Sequence, residues 1–271
     1  LGHVGHAHAA QRQLDLERGG GRPSVGDRLR VVLAFPNTYH VGMSNLGVQT
    51  VHHLFNCEPG VACERVFLPP KQELRALQTS RAPLLSLDTQ MPVSDFDVVA
   101  FTVSFEWDYV NILTMLRLAG MPIYASERTD RHPLVVLGGA VTFLNPEPLA
   151  PFVDVVSVGE GEALVAPLVS AVAAMDRRDA LRQLATQPGF YVPSLYGVRY
   201  RDDGVAEPHE ALEPAVQPFV PKAAVKTIDE IDPPCTRIFT PHTEFGSRFL
   251  VEIVRGCAKL CRFCWAGYNY L

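Results

Sequence analysis

The feature that most limits how this chain can fold is a series of short, nearly uninterrupted apolar runs separated by helical stretches. Arg30–Phe35 (RVVLAF) reads as a strand stopped by Pro36–Asn37, and Val61–Phe67 as a short second strand. Val98–Val103 (VVAFTV), Leu134–Leu137 and Val153–Val158 add three more. Between them, Gly47–Phe55, Lys71–Gln78 and Asp108–Ala119 read as helices, and an amphipathic helix follows Gly159-Glu160-Gly161-Glu162 to about Met175. The third places Val110, Ile112, Leu113, Leu116 and Ala119 on one side, with Gly120 as its C-terminal cap. Strands apolar on both faces must be covered on both faces. Their alternation with helices predicts an α/β fold with a doubly wound, flavodoxin-like parallel sheet over residues 29–187.

The flanks differ. Residues 1–28 lack any period and read as a flexible lead-in, with His3, His6 and His8 in a solvated tail. Residues 188–247 are proline-rich and read as an extended connector, with Asp202-Asp203-Gly204 turning a hairpin between Val198–Tyr200 and Val205. Arg248–Val254 (RFLVEIV) reads as a new strand that opens a last segment, 248–271. The first residue is Leu and the last lies seven beyond Cys264, so a fragment of a longer protein is expected.

Composition narrows the function. With 47% hydrophobic and 20% charged residues the 271-residue chain is globular. A net charge of −5 offers no basic excess for nucleic acid. No apolar run approaches the roughly 18 to 20 residues of a spanning helix, and LGHVGHAHAA is no secretory signal, so a cytoplasmic location is expected.

Three of the six cysteines crowd into GCAKLCRFCWAG, at the spacing C-x3-C-x2-C. Three thiolates on one loop can each bind one iron of a cubane and leave the fourth iron open. Catalytic zinc sites use the same economy, three protein ligands and one free position. Structural zinc, with Cys235 or His242 as fourth ligand, is the competing reading. Cys57 and Cys63 have no partner set and read as isolated thiols.

The loop resembles the signature of the radical S-adenosylmethionine (SAM) superfamily, C-x3-C-x-aromatic-C, with Phe263 at the aromatic position and Phe249–Val254 as the strand before it. The resemblance implies a [4Fe–4S] cluster on Cys257, Cys261 and Cys264, with SAM chelating the open iron through its amino and carboxylate groups. One electron, from a donor such as a flavodoxin or ferredoxin, then cleaves SAM to a 5′-deoxyadenosyl radical that abstracts hydrogen from an unidentified substrate. It also implies Phe263 near the adenine, Arg255 and Gly256 shaping the turn, and Gly267 admitting backbone close to the cofactor. A β/α barrel needs roughly 200 residues or more, and only its first strand and loop fall within this sequence, so this chain alone is expected to be inactive.

A wider resemblance runs from about Arg30 onward, to the radical SAM subgroup with an N-terminal cobalamin-binding-like domain. FPNTYHVGMSNLG (35–47), Ser104, GGAVTFLNPEPL (138–149) and VGEGE (158–162) carry it. It implies cobalamin over the C-terminal strand edge, with its tail beside Ser104, Gly138, Gly139, Gly159 and Gly161. The D-x-H-x-x-G motif that supplies a cobalt ligand in many such domains is absent, so His40 is expected to be a surface loop histidine rather than an axial ligand. Glu106, Trp107 and Asp108 begin one helix and Glu160 and Glu162 another, where carboxylates suit the positive helix end. A non-catalytic α/β ligand- or partner-binding domain with a zinc loop remains the alternative; it would be colourless, whereas an iron–sulfur protein is brown.

Overall fold

The computed structural model describes residues 10–20, 29–205, 207, 210–227, 229, 231–264 and 267. Histidines 3, 6 and 8 of the lead-in lie outside them. The first sheet strand, β2 (Leu29–Phe35), follows a two-residue β1 (Arg18–Gly19). Then come α1 (Tyr39–Met43), α2 (Leu46–Cys57), β3 (Val61–Phe67), α3 (Lys71–Ser80), β4 (Val98–Thr102) and α4 (Tyr109–Leu118). The second half adds β5 (Leu134–Gly138), β6 (Val155–Ser157), α5 (Gly161–Ala174), α6 (Arg177–Ala185) and β7 (Phe190–Tyr191).

The main sheet has the order β3-β2-β4-β5-β6-β7, parallel except for β7. β2 is an inner strand: Val31 pairs with Cys63 of β3 on one side and Val98 of β4 on the other. Five successive β2 residues, Val31 to Phe35, are buried, so both faces of the sheet are covered. The chain first steps outward from β2 to β3, then crosses back to β4 and continues in the other direction. That reversal parts the loops after β2 and β4 and opens a crevice at their C-terminal ends.

Several expectations need correction. Val110 is 67% exposed, whereas Ile112, Met115 and Leu116 are buried. Residues two apart lie on opposite sides of a helix, so Val110 cannot share the face of Ile112. β6 is three residues long because Asp154, just before it, turns its buried carboxylate to Val135 N (2.7 Å) and to Arg128 and Arg177. Arg248–Val254 is not a regular strand. It is joined to Pro234–Thr236 by one bridge, Cys235 to Val251, and by two short bonds, Thr236 N to Leu250 O and Glu252 N to Pro234 O. No strand pairs with its other edge among the described residues, and Ile253 is 91% exposed.

Part of the lead-in is packed. β1 pairs antiparallel with β10 (Ile238–Phe239), and Glu17 forms a two-pronged pair with buried Arg65, 2.8 Å on each side. Asp88 completes the set at 2.6 Å. Burial opposes the charge on Arg65, but these two carboxylates outweigh it. In the connector, β8 (Tyr196–Gly197) pairs with β9 (Glu210–Ala211), and Gly204 donates to Arg201 O (2.8 Å) in the turn between them.

Two strand-end glycines are required by the packing. Gly139 has φ +95°, and a Cβ there would run into the Val103 backbone, with Val103 N at 2.6 Å. Gly159 has φ +151° and faces the Ala223 backbone just as closely. Gly138, by contrast, would place a Cβ 3.7 Å from Phe101 O, an ordinary contact, and its φ is not in the left-handed region. Gly139→Ala is expected to cost about 1–3 kcal/mol and Gly138→Ala under about 0.5, read by chemical denaturation.

Buried His52 on α2 has its Nε2 3.1 Å from Cys63 O. Burial, with the charge of Arg65 nearby, pushes its pKa from 6.5 down to about 4. A depressed folded pKa contributes stability that is complete above the unfolded value and disappears as the pH falls through the folded one. Stability is therefore expected to fall by about 3 kcal/mol between pH 6.5 and 4, and His52→Gln should flatten that slope in pH-dependent melts.

Candidate functional site

A cavity of about 560 Å³ occupies the crevice at the strand ends, between the sheet and helices α2 and α5. Its depth is apolar, with Leu33, Val136, Val51 and Leu164 among the walls. The two helices close the far side tightly: a Cβ on Gly161 would meet Val51 and Leu54 at 3.3 Å.

Polar groups gather toward the mouth. Asn45 caps α2 by accepting from Gly47 N (2.9 Å), and its Nδ2 donates to Ser104 Oγ (2.9 Å). This bond ties the loop after β2 to the end of β4 across the crevice. Ser104 accepts there, which leaves its proton for another acceptor.

The rim is formed by Arg255. Its Nε and Nη2 donate to the two oxygens of Glu252 (2.9 and 2.8 Å), and Nη2 also reaches Glu162 Oε1 (2.8 Å). Nη1 lies 3.3 Å from Glu160 Oε2, which accepts from Val225 N at 2.8 Å. The Arg255 side chain is only 15% exposed, and the bonds to Glu252 and Glu162 outweigh burial and raise its pKa further. Glu160 and Glu162 therefore do more than answer a helix end: they hold the residue from which the cysteine loop departs. Lys222 stands beside them with its Nζ 5.0 Å from the Phe143 ring centroid, and burial lowers its pKa.

The loop beyond Arg255 turns through Gly256 (φ +90°) and Leu260 (φ +49°), and Cys264 N donates to Cys261 O at 3.0 Å. Gly267 packs where a Cβ would lie 3.2 Å from Cys257 O, so its smallness serves the turn. Cys257 and Cys261 are exposed, Cys264 is half-buried, and all three are free thiols. Among the described residues no three Cys, His, Asp or Glu side chains are gathered closely enough to hold a metal. The donor set nevertheless fits an iron–sulfur cluster in chemistry: three reduced thiols on one short, exposed loop. Phe263 points into solvent, 93% exposed.

The other predicted residues divide clearly. Ser104, Gly138, Gly139 and Gly159 all line the cavity, but the space left by the missing side chains at Gly139 and Gly159 is filled by Val103 and Ala223. Ala223 bonds to both sides of Gly159, through Val158 O and Glu160 N, so the connector occupies the place where a corrin would cover that strand end. A corrin over that strand end would have to displace the Ala223 segment. His40 is exposed and lies 3.3 Å from Glu244. Trp107 is exposed, while Asp108 makes no cap bond and instead accepts from Asn37 and Asn111, burial raising its pKa. His242 contacts Gln13 at 2.7 Å, and Cys235 bridges to Val251, so neither joins the three cysteines.

The Arg255 cluster was not foreseen from sequence. Its members sit far apart in the chain, and the only available signal was an acidic pair at a helix start and an arginine two residues before a cysteine.

Residues 47–193 match the family described as radical SAM proteins, N-terminal, from α2 through β7 and short of the cysteine loop. An uncharacterised protein of Methanocaldococcus jannaschii is 25% identical over 243 residues, covering 89% of this chain and 41% of that protein. The chain thus spans about two-fifths of the length of the curated relative it matches. No helix among the described residues is long and apolar enough to cross a membrane. With the family match extending over more than half of its residues, this chain belongs to the radical SAM proteins, through their N-terminal domain.

Proposed function

We propose that this chain forms the part of a radical SAM enzyme that carries a [4Fe–4S] cluster on Cys257, Cys261 and Cys264 beside a ligand cavity. The observation that carries this reading is the placement of a C-x3-C-x-F-C loop, with free thiols, directly after the arginine clamped at the cavity rim. The cluster, when bound, supplies the electron that cleaves SAM reductively and so generates a 5′-deoxyadenosyl radical. Around it the chain's residues bind and orient. The three thiolates take one iron each, Gly256 and Leu260 turn the loop, and Phe263 offers an aromatic face to the adenine. SAM and a one-electron donor such as a flavodoxin or ferredoxin are the proposed partners, and the substrate is open. A cytoplasmic location suits thiols that must stay reduced.

A second reading adds cobalamin. In its favour, the strand order reverses between β2 and β4, and Ser104 and Gly138 line the crevice at that point. It requires the Ala223 segment to leave Gly159, and no step is assigned to it. On that reading hydroxocobalamin co-elutes with the protein in gel filtration, Gly138→Val reduces retention, and Lys71→Ala does not; colourless protein discards it.

For the cluster, anaerobic reconstitution is expected to load about four irons per chain and give a brown protein. Cys257→Ala, Cys261→Ala and Cys264→Ala should each abolish loading, while Cys57→Ala and Cys235→Ala leave it unchanged. Full iron loading in the triple variant, or stoichiometric zinc in colourless protein, overturns the reading.

A further inference from the structure

We infer that Arg255 is a positioning residue that fixes the start of the cysteine loop at the cavity rim by being held between Glu160, Glu162 and Glu252. The inference rests on the cluster reading of the loop, and its observations are independent of the cysteines.

Two kinds of contact meet on this guanidinium. Glu252 belongs to the loop's own approach segment and grips Arg255 from within it, at 2.8 and 2.9 Å. Glu160 and Glu162 belong to the sheet domain, at the turn from β6 into α5, and grip it from outside, at 3.3 and 2.8 Å. The other attachment of the approach segment is slight: a single bridge at Cys235–Val251 and a few bonds to Pro234–Thr236. Of its apolar side chains Phe249 stacks on Phe239 with ring centroids 6.4 Å apart, while Ile253 and Val254 are mostly exposed. What fixes the loop to the domain is therefore the guanidinium fork, whose planar donors impose a direction as well as a position.

The same fork closes the cavity. Glu252, Val254, Arg255 and Gly256 line its mouth together with Glu160 and Glu162. Glu160 also holds Val225 N, so one carboxylate fixes the connector and the loop at once. Releasing Arg255 frees the approach segment and opens the mouth, while the sheet, which shares none of these bonds, stays intact. Cys257 lies two residues further along, past the turn at Gly256 (φ +90°), so the loop leaves the domain at the point where Arg255 is held.

The test compares wild type, Arg255→Ala, Arg255→Lys and the double variant Glu160→Gln/Glu162→Gln in two measurements. Hydrogen exchange on the apoprotein is expected to be at least about tenfold faster at Val225, Thr236, Leu250 and Glu252 in Arg255→Ala and in the double variant, with β2, β4 and β5 unchanged. Arg255→Lys, which keeps the charge and loses the fork, should fall between. After anaerobic reconstitution and reduction, the cluster's electron paramagnetic resonance signal should shift on adding SAM in wild type and lose that shift in Arg255→Ala, with iron content preserved. Unchanged exchange in Arg255→Ala overturns the clamp. Faster exchange with an intact SAM-induced shift overturns the positioning role and leaves Arg255 as a structural tie. A wild type that binds no iron removes the cluster reading, and the exchange measurement still decides the clamp.

Discussion

Three carboxylates converge on one guanidinium at Arg255, and through that contact the cysteine loop acquires a fixed relation to the sheet. The set is half-buried, and it is the loss of the arginine, leaving three carboxylates facing one another, that leaves charge uncompensated. The geometry explains why these residues are acidic and why the cation is arginine. A lysine could neutralise one carboxylate, whereas a fork can hold Glu252 side-on and still reach Glu162 and Glu160. The approach segment has few other anchors, so the loop's placement depends on charge far more than on packing.

The cavity depends on a different constraint, the reversal of strand order between β2 and β4. That reversal separates two loops, and the Asn45–Ser104 bond then sets how far they part. The glycines at the strand ends serve this architecture in unequal ways. Gly139 lets Val103 approach and Gly159 lets Ala223 lie across β6, so both are consumed by the chain's own backbone. Gly138 alone among them keeps ordinary clearance. The connector is thus tied to the edge of the site, through Pro234 in the cavity lining and residues 223–225 bonded to Val158 and Glu160.

Membership in the radical SAM proteins is carried by residues 47–193, the sheet domain, and the proposed cluster loop lies outside that span. The two are linked physically by Arg255. Glu160 and Glu162 lie inside the matched region and Arg255 outside it, so the ion cluster joins the domain that identifies the family to the loop that would perform its chemistry.

The strands and helices of the sheet domain were legible in the sequence because they depend on local period and apolar content. Val61–Phe67 is found at the predicted bounds, and β2, β4 and β5 within a residue of them. The cysteine motif was legible for the same reason, since its donors are neighbours in sequence. Helix faces were less so: Val110 was placed with Ile112, although residues two apart point to opposite sides of a helix. The packing of Glu17 on Arg65 and of Glu160 and Glu162 on Arg255 was invisible. A carboxylate at a helix start looks the same in sequence whether it faces water or a distant cation. Only the folded chain decides which, because a buried ion pair forms where tertiary packing removes water from both partners and brings them within bonding distance.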